Sequence, residues 1–556
     1  MERPLLDSPP NAQALESGYV IDDQVPEPMT SRNHAVARVS DSAHASSRGL
    51  SRKAVLWHTG YYATSTYAAR AIAAIRSFIN ARWLGPEIYG FWGSVTFLVS
   101  FGMHLHGGVQ EIMARDIPAE RSKGRFEAAQ RTAQLSFTFF FYMLLAAAVA
   151  IWIFALRLPA HVPMFTRVGW WVGGFAMLLE SLYFFEQRVA RAEQRFADVS
   201  WGLVIAHIVS LILTCWLVIS YGIYGLFVVA VVTPAVGIWY FRRRAEYRWR
   251  LNWAWPTIQS MLRAGWPILM MTLSFEALRW VDRILVLRFI GTTGFGYYML
   301  GAVVAQCCFI FPEVMASVIE PRLYSDYAKH QQLSAVREHV WFPLQTLAFI
   351  MPAGLAGLHL FLPIVIGRWL PAYVPGVPAI CVLIWASFFM GLTVCTKSVI
   401  VAMGEQGRVL PLYWLAIAAN LAVSFWLVPH GWGLVGIALG TMAAYIVCCT
   451  GLLLFVMRRL GWSMQAAMVR IVALYTPAVI MSAITAGLPA LMTRMIHRSL
   501  GLSWDVAWSV GILTYGVTAG WYLLRWIRSE DHLPQALQVP VASSLVHASS
   551  SAELPT

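Results

Sequence analysis

The chain has 556 residues, 58% of them hydrophobic and only 12% charged, with a formal net charge of +13. A soluble globular protein is about a quarter charged, so this chain carries more apolar surface than its own core can hide, and lipid must cover the rest. The basic residues are spread over short loops between apolar spans, not gathered in one patch, which argues against a nucleic-acid partner.

Residues 1–53 are polar and rich in Ser, Ala and Pro, the composition of a disordered extension. No charged stretch leads into a short apolar core and cleavage site, so no cleaved signal peptide is expected. A membrane span needs about 20 mostly apolar residues. Fourteen candidates follow in order: 56–81, 88–111, 133–156, 168–188, 199–220, 223–241, 264–290, 294–318, 340–366, 377–402, 409–428, 432–456, 466–490 and 503–526. The tail from 529 to 556 again reads as disordered.

The connections alternate in charge. Arg52-Lys53, Arg115 to Arg131, Arg188 to Arg195, Arg242-Arg243-Arg244, Arg322 to Arg337, Arg408, Arg458-Arg459 and Arg525 to Arg528 fall on one side. The turns near Gly85, Pro159, Tyr221, Gly291, Pro371, His430 and Arg498 are poor in charge. The positive-inside rule then puts both termini in the cytoplasm. Residues 242–257, with Trp249, Trp253 and Trp255 beside the arginine run, form a basic linker suited to the headgroup layer.

One stretch returns. Arg82-Trp-Leu-Gly85-Pro-Glu-Ile-Tyr89-Gly90-Phe91-Trp92 is echoed by Arg288-Phe-Ile-Gly291-Thr-Thr-Gly-Phe295-Gly296-Tyr297-Tyr298. Each copy closes one apolar span and opens the next, and spans 1 and 7 run in the same direction. This predicts an all-α membrane protein of two six-helix lobes, 54–241 and 258–457, related by a pseudo-two-fold along the membrane normal, with two added spans over 458–528.

Chemistry-bearing residues inside the spans are few. In span 1, Thr66, Arg70, Arg76, Ser77 and Asn80 share one arc, opposite Ala71, Ile75, Phe78 and Ile79. In span 7, the repeat places Glu276 opposite Arg70 and Asp282 opposite Arg76, with Arg279 and Arg283 beside them. A charge near the bilayer centre costs about 2.5–3.5 kcal/mol on the translocon scale, so such groups line a cavity or pair. A substrate cavity of Arg70, Arg76, Asn80, Glu276, Arg279, Asp282 and Arg283, with Lys397 from span 10, is therefore expected, and a bridge from Arg76 to Asp282. Snorkelling to a surface is the competing reading for Arg70 and Arg283, and an interhelical hydrogen bond for Lys397. Glu180, Glu111 and Asp282 are candidate carriers of a coupling proton or sodium ion, although a plain buried carboxyl is as good a reading of Glu180, and end placement of Glu111. His104 and His106 alternate, so a helix parts them, and His207 and His359 stand alone.

Seven cysteines lie within apolar segments and lack metal-ligand spacing. No phosphate-binding loop, HExxH, Gly-x-Ser-x-Gly or CxxC is present, and the outer loops are too short for a catalytic domain. A non-enzymatic chain without cofactor or metal is expected, and a nucleotide-driven pump would need its ATPase from a partner.

Three stretches carry a resemblance. They are Ala81 to Gly93; Trp280-Val-Asp-Arg-Ile-Leu-Val-Leu-Arg-Phe-Ile-Gly291 with Phe295-Gly-Tyr-Tyr298 and Glu320-Pro-Arg-Leu-Tyr324; and Ala402-Met-Gly-Glu-Gln-Gly-Arg408 leading to Asn420, Pro429 and Gly433-Leu-Val-Gly-Ile-Ala438. The chain resembles the polysaccharide exporters, the oligosaccharide-lipid (O-antigen type) flippases of the multidrug/oligosaccharidyl-lipid/polysaccharide exporter superfamily. The resemblance implies alternating access around a cationic cavity and a polyprenyl-linked oligosaccharide as substrate. It also implies a place in the bacterial inner membrane, with membrane lipids and a polysaccharide polymerase as partners. The long N-terminal extension and the acids of span 7 depart from that pattern. A peptidoglycan-precursor flippase, a multidrug/cation antiporter and a membrane glycosyltransferase or polymerase are the alternatives.

Overall fold

Hydrocarbon offers a backbone no hydrogen-bond partner, so a chain this apolar folds into helices that pair their own N–H and C=O groups. The computed structural model describes residues 52–499 except 246, 248, 317–318, 321–322 and 324–336, and it contains helices and no strand among them. The N-terminal extension, span 14, the tail, Arg322 and Lys329 lie outside the described residues. By contacts the chain divides after Trp57, and the architecture belongs to the unit His58–Thr556.

The N-terminal lobe comprises α1 (Arg52–Gly102), α2 (Val109–Ser122), α3 (Phe126–Leu156), α4 (Met164–Ala192), α5 (Phe196–Tyr221) and α6 (Ile223–Arg244). The C-terminal lobe comprises α7 (Trp255–Phe289), α8 (Gly291–Ala316), α9 (Arg337–Trp369), α10 (Val377–Ala402), α11 (Gln406–Leu427) and α12 (Gly433–Arg459). The added helix α13 (Met464–Ser499) packs on α9 and α12. Nine helices among the described residues are long and apolar enough to cross a membrane. The helices holding spans 1, 2 and 7 are not among them: Arg70, Arg76, Glu276, Arg279, Asp282 and Arg283 dilute spans 1 and 7. The described helices thus occupy the positions of expected spans 1 to 13.

The repeat is written in the turns. Gly85 (φ 71°) breaks α1 where Gly291 (φ 85°) separates α7 from α8. Gln194 (φ 61°) and Gly404 (φ 68°) end α4 and α10 with a left-handed residue at the equivalent place and the same closing bonds. Gly222 (φ 59°, ψ −130°) and Gly433 (φ 46°, ψ −126°) each follow a π-turn, Thr214–Val218 in one lobe and Val428–Trp432 in the other.

The two copies of the repeated motif touch. A Cβ on Gly90 would lie 1.9 Å from the Thr292 carbonyl oxygen, and one on Gly296 would lie 1.9 Å from the Pro86 carbonyl oxygen. At the other end, Gly108 and Gly265 bring span 2 nearly as close to α7: a Cβ on Gly265 would lie 2.2 Å from the Gly108 carbonyl oxygen.

Two expectations need correction. Span 2 is not one helix over 88–111: it leaves helical geometry after Gly102 and resumes at Val109, because Gly107 and Gly108 both take positive φ. Trp249 is not free to reach lipid with its neighbours, because it is tied to the N-terminal lobe. It stacks on Phe137 at 4.9 Å, and its Nε1 donates to Glu186 at 2.7 Å. Trp253 and Trp255 remain exposed.

Candidate functional site

The polar arc of α1 opens into a cavity of about 320 Å³ within the N-terminal lobe. Arg76, Ser77 and Asn80 form one wall, Glu180 and Tyr183 of α4 another, and His207, Ser210 and Thr233 a third. Met299 and Val303 of α8 close it from the C-terminal lobe. The Arg76 guanidinium donates from Nη1 to Ser210 Oγ and leaves its Nε without a partner. Asn80 is 6% exposed and its Oδ1 has no partner either. Cation, carboxyl and unfilled hydrogen-bonding groups are thus aimed into one space inside an apolar bundle, which is a demand for a polar guest.

A second, far smaller cavity of about 30 Å³ lies in the C-terminal lobe, lined by Arg279, Asp282, Arg283, Tyr298, Thr441 and Tyr445 among others. Asp282 is 5% exposed. Its Oδ2 accepts from Tyr298 Oη at 2.5 Å and from Thr441 Oγ1 at 3.3 Å, and its Oδ1 accepts the Arg283 backbone N–H at 2.8 Å. That is room enough for water, which needs about 10–15 Å³ of water-accessible space.

The expected residues therefore do not share one central cavity. Arg76, Asn80 and Glu180 stand in the first space and Arg279, Asp282 and Arg283 in the second. The Arg76–Asp282 bridge is absent, since each group is held by its own lobe. Glu276 pairs with Arg279 one turn along α7 at 3.5 Å. Lys397 Nζ sits 4.3 Å from the Phe275 ring centroid. Glu111 pairs with Arg188 at 3.1 Å. Arg70 reaches the other lobe, where it forms an ion pair with Glu313 of α8. Sequence reasoning missed Glu313, Ser210, Tyr298 and Thr441. A helical wheel names the face of one helix but not the neighbour that meets it.

No group of three or more His, Cys, Asp or Glu side chains that could hold a metal ion occurs among the described residues. All seven cysteines are free, with Cys215 and Cys307 exposed.

The fold has known relatives. Residues 79–370 match the family described as polysaccharide biosynthesis protein. The lipid II flippase MurJ in an inward closed conformation superposes with a TM-score of 0.61 at 14% identity, over 84% of this chain and 99% of that one. A multidrug resistance MATE family transporter of the MOP superfamily, inward-facing, gives 0.57 at 14% identity, over 70% and 94%. The same family's outward-facing form gives 0.52 at 16% identity, over 73% and 95%. At these identities the likeness is one of fold. No curated protein sequence matches the chain.

Proposed function

Because the chain belongs to the polysaccharide biosynthesis protein family, and is a multi-pass membrane protein of the flippase and transporter fold, we propose that it carries a polyprenyl-(pyro)phosphate-linked oligosaccharide from the inner to the outer leaflet of the bacterial inner membrane. Both termini then lie in the cytoplasm. The chemistry of the substrate does not change. The obstacle is moving a charged, hydroxyl-rich headgroup through a layer that offers no hydrogen bonds.

The observation that carries this reading is the cavity around Arg76 and Asn80. Its guanidinium can offer charge-assisted bonds to phosphate, and its unfilled oxygens and hydroxyls suit sugar. Alternating access requires this space to open to one side of the membrane and then to the other. Rocking of the two lobes about the crossing of the motif copies would open it. Glu180, Asp282 and Glu111 are the candidate carboxyls for ion coupling.

The test is a leaflet-translocation assay in proteoliposomes with a defined polyprenyl-pyrophosphate oligosaccharide. The protein should accelerate translocation, and Arg76→Ala should slow it about tenfold or more, the loss of one charge-assisted contact. Wild-type rates in Arg76→Ala and Asn80→Ala at matched protein levels would reject the cavity as the site.

A further inference from the structure

A groove of about 650 Å³ runs along the outside of α1, on the face opposite the polar cavity. One wall is Ala74, Ile75, Phe78, Ile79, Arg82 and Trp83 from the N-terminal lobe; the other is Val365, Arg368, Trp369 and Leu370 at the end of α9, from the C-terminal lobe. Among the described residues, no acidic one lines it. The walls are apolar along their length and cationic at one rim. Arg82 Nη1 donates to the Trp369 carbonyl oxygen at 2.7 Å, which leaves the rest of its donors free. Arg368 stands exposed beside it, and Trp83 and Trp369 are 55% and 68% exposed.

We infer that this groove binds an anionic phospholipid, its phosphate between Arg82 and Arg368 and its acyl chains against Ile75, Phe78 and Ile79. Charge complementarity selects the headgroup: two guanidinium forks without a carboxylate suit a phosphodiester. Depth selects the lipid. From Ala74 to Trp83 is nine residues, about 13 Å of helix, close to one leaflet of a hydrocarbon core about 30 Å thick. A lipid confined to one leaflet fills that length, whereas a polyprenyl chain overruns it. The rim lies on the charge-poor side of the membrane, the outer one by the positive-inside rule. One wall comes from each lobe, so the bound lipid braces the contact that Arg82 makes to Trp369 and holds this side closed.

The experiment is native mass spectrometry of the purified full chain titrated with phosphatidylglycerol, phosphatidylcholine or polyprenyl phosphate. Phosphatidylglycerol should bind in preference to phosphatidylcholine. Arg82→Gln with Arg368→Gln should weaken the tightest phosphatidylglycerol adduct about tenfold, as expected for lost charge-assisted contacts. Ala74→Phe, which fills the groove and keeps both arginines, should weaken it too, with an unchanged melting temperature as the control for folding. Wild-type binding in both variants, or equal binding of phosphatidylcholine, would overturn the inference. So would displacement of phosphatidylglycerol by equimolar polyprenyl phosphate, which would give the groove to the carrier lipid.

Discussion

Gly90 and Gly296 occupy the same position in the two copies of the repeated motif, and each rests on the backbone of the other copy. The contact is reciprocal: Gly90 meets the carbonyl of Thr292, and Gly296 meets that of Pro86, the position equivalent to Thr292. Reciprocity of this kind is what a two-fold axis imposes, and it places the axis of the two lobes between these glycines. A methyl at either position would collide with backbone, which cannot swing aside as a side chain does. Gly90→Ala and Gly296→Ala should each cost about 1–3 kcal/mol, the usual range for overpacking. They should also part the Gly85 corner of α1 from the start of α8. In a background without the exposed Cys215 and Cys307, a cysteine at Met299, in the cavity wall, should react faster with an impermeant thiol reagent once either alanine is present. Unchanged reactivity and unchanged melting would show that this crossing does not seal the cavity.

The same symmetry exposes a flaw in one lobe. Gln194 holds the left-handed conformation that Gly404 holds in the other lobe. A side chain there costs about 1–2 kcal/mol through the clash of Cβ with the backbone. Gln194→Gly should therefore raise stability by about 1 kcal/mol, less the added freedom of glycine in the unfolded chain. Thermal unfolding in detergent reads the change, and a lower melting temperature would contradict it.

Much of this fold was legible because lipid leaves the backbone few choices. Apolar length gave the helices that stand at expected spans 1 to 13. A second echo, Leu158-Pro-Ala-His-Val-Pro163 and Leu370-Pro-Ala-Tyr-Val-Pro375, lay unused in the sequence and marks the same point in both lobes. The site was less legible. Arg76 and Asn80 do face a polar space, and Ile75, Phe78 and Ile79 do face outward, as the arc on α1 predicts. The expected bridge failed for a geometric reason. Pseudo-symmetry makes Arg76 and Asp282 equivalent, but only positions on the axis meet their equivalents, and that place belongs to Gly90 and Gly296. Away from it each group turns to its own lobe, Arg76 to Ser210 and Asp282 to Tyr298.

The linker makes a prediction of its own. Glu186 Oε1 accepts both Tyr247 Oη and Trp249 Nε1 at 2.7 Å, and Arg242 lies over both rings at 4.9 Å. Burial, and then the Glu186 carboxylate, hold the Tyr247 phenol well above its ordinary range, so it remains a donor at every physiological pH. Tyr247→Phe removes that donor and leaves a buried carboxylate with one fewer partner, which costs about 1–3 kcal/mol. Adding Glu186→Gln should recover part of the loss, since a neutral amide is less costly to leave half-bonded. Limited proteolysis between Ala245 and Trp255 should follow the same order, with cleavage fastest in Tyr247→Phe. Equal cleavage in all three proteins would mean that the cluster does not pin the linker.

Arg70 and Glu313 form the ion pair that the sequence led one to seek at Arg76 and Asp282. It joins α1 to α8 and therefore one lobe to the other. The opposite seam is built differently: Gly108 and Gly265 bring span 2 and α7 into backbone contact, and Phe101 packs on Trp280 with ring centroids 4.3 Å apart. A backbone contact of that kind resists opening, whereas an ion pair can part and be hydrated, so the α1–α8 seam is where the cavity should open. Both side chains are 35% exposed, which limits the coupling to the range of surface pairs, about 0.2–1 kcal/mol. A gate needs no more, because a latch much stronger than this would slow each turnover. Arg70→Glu and Glu313→Arg should each place like charges together, favour the open inner seam and change translocation by a few-fold. The swap Arg70→Glu with Glu313→Arg should restore the rate toward wild type, because it rebuilds the pair in reverse. The double-mutant cycle on translocation rate, at matched protein levels, isolates that coupling. Additive single effects without rescue would mean that the two charges act separately, and the gate would then lie elsewhere.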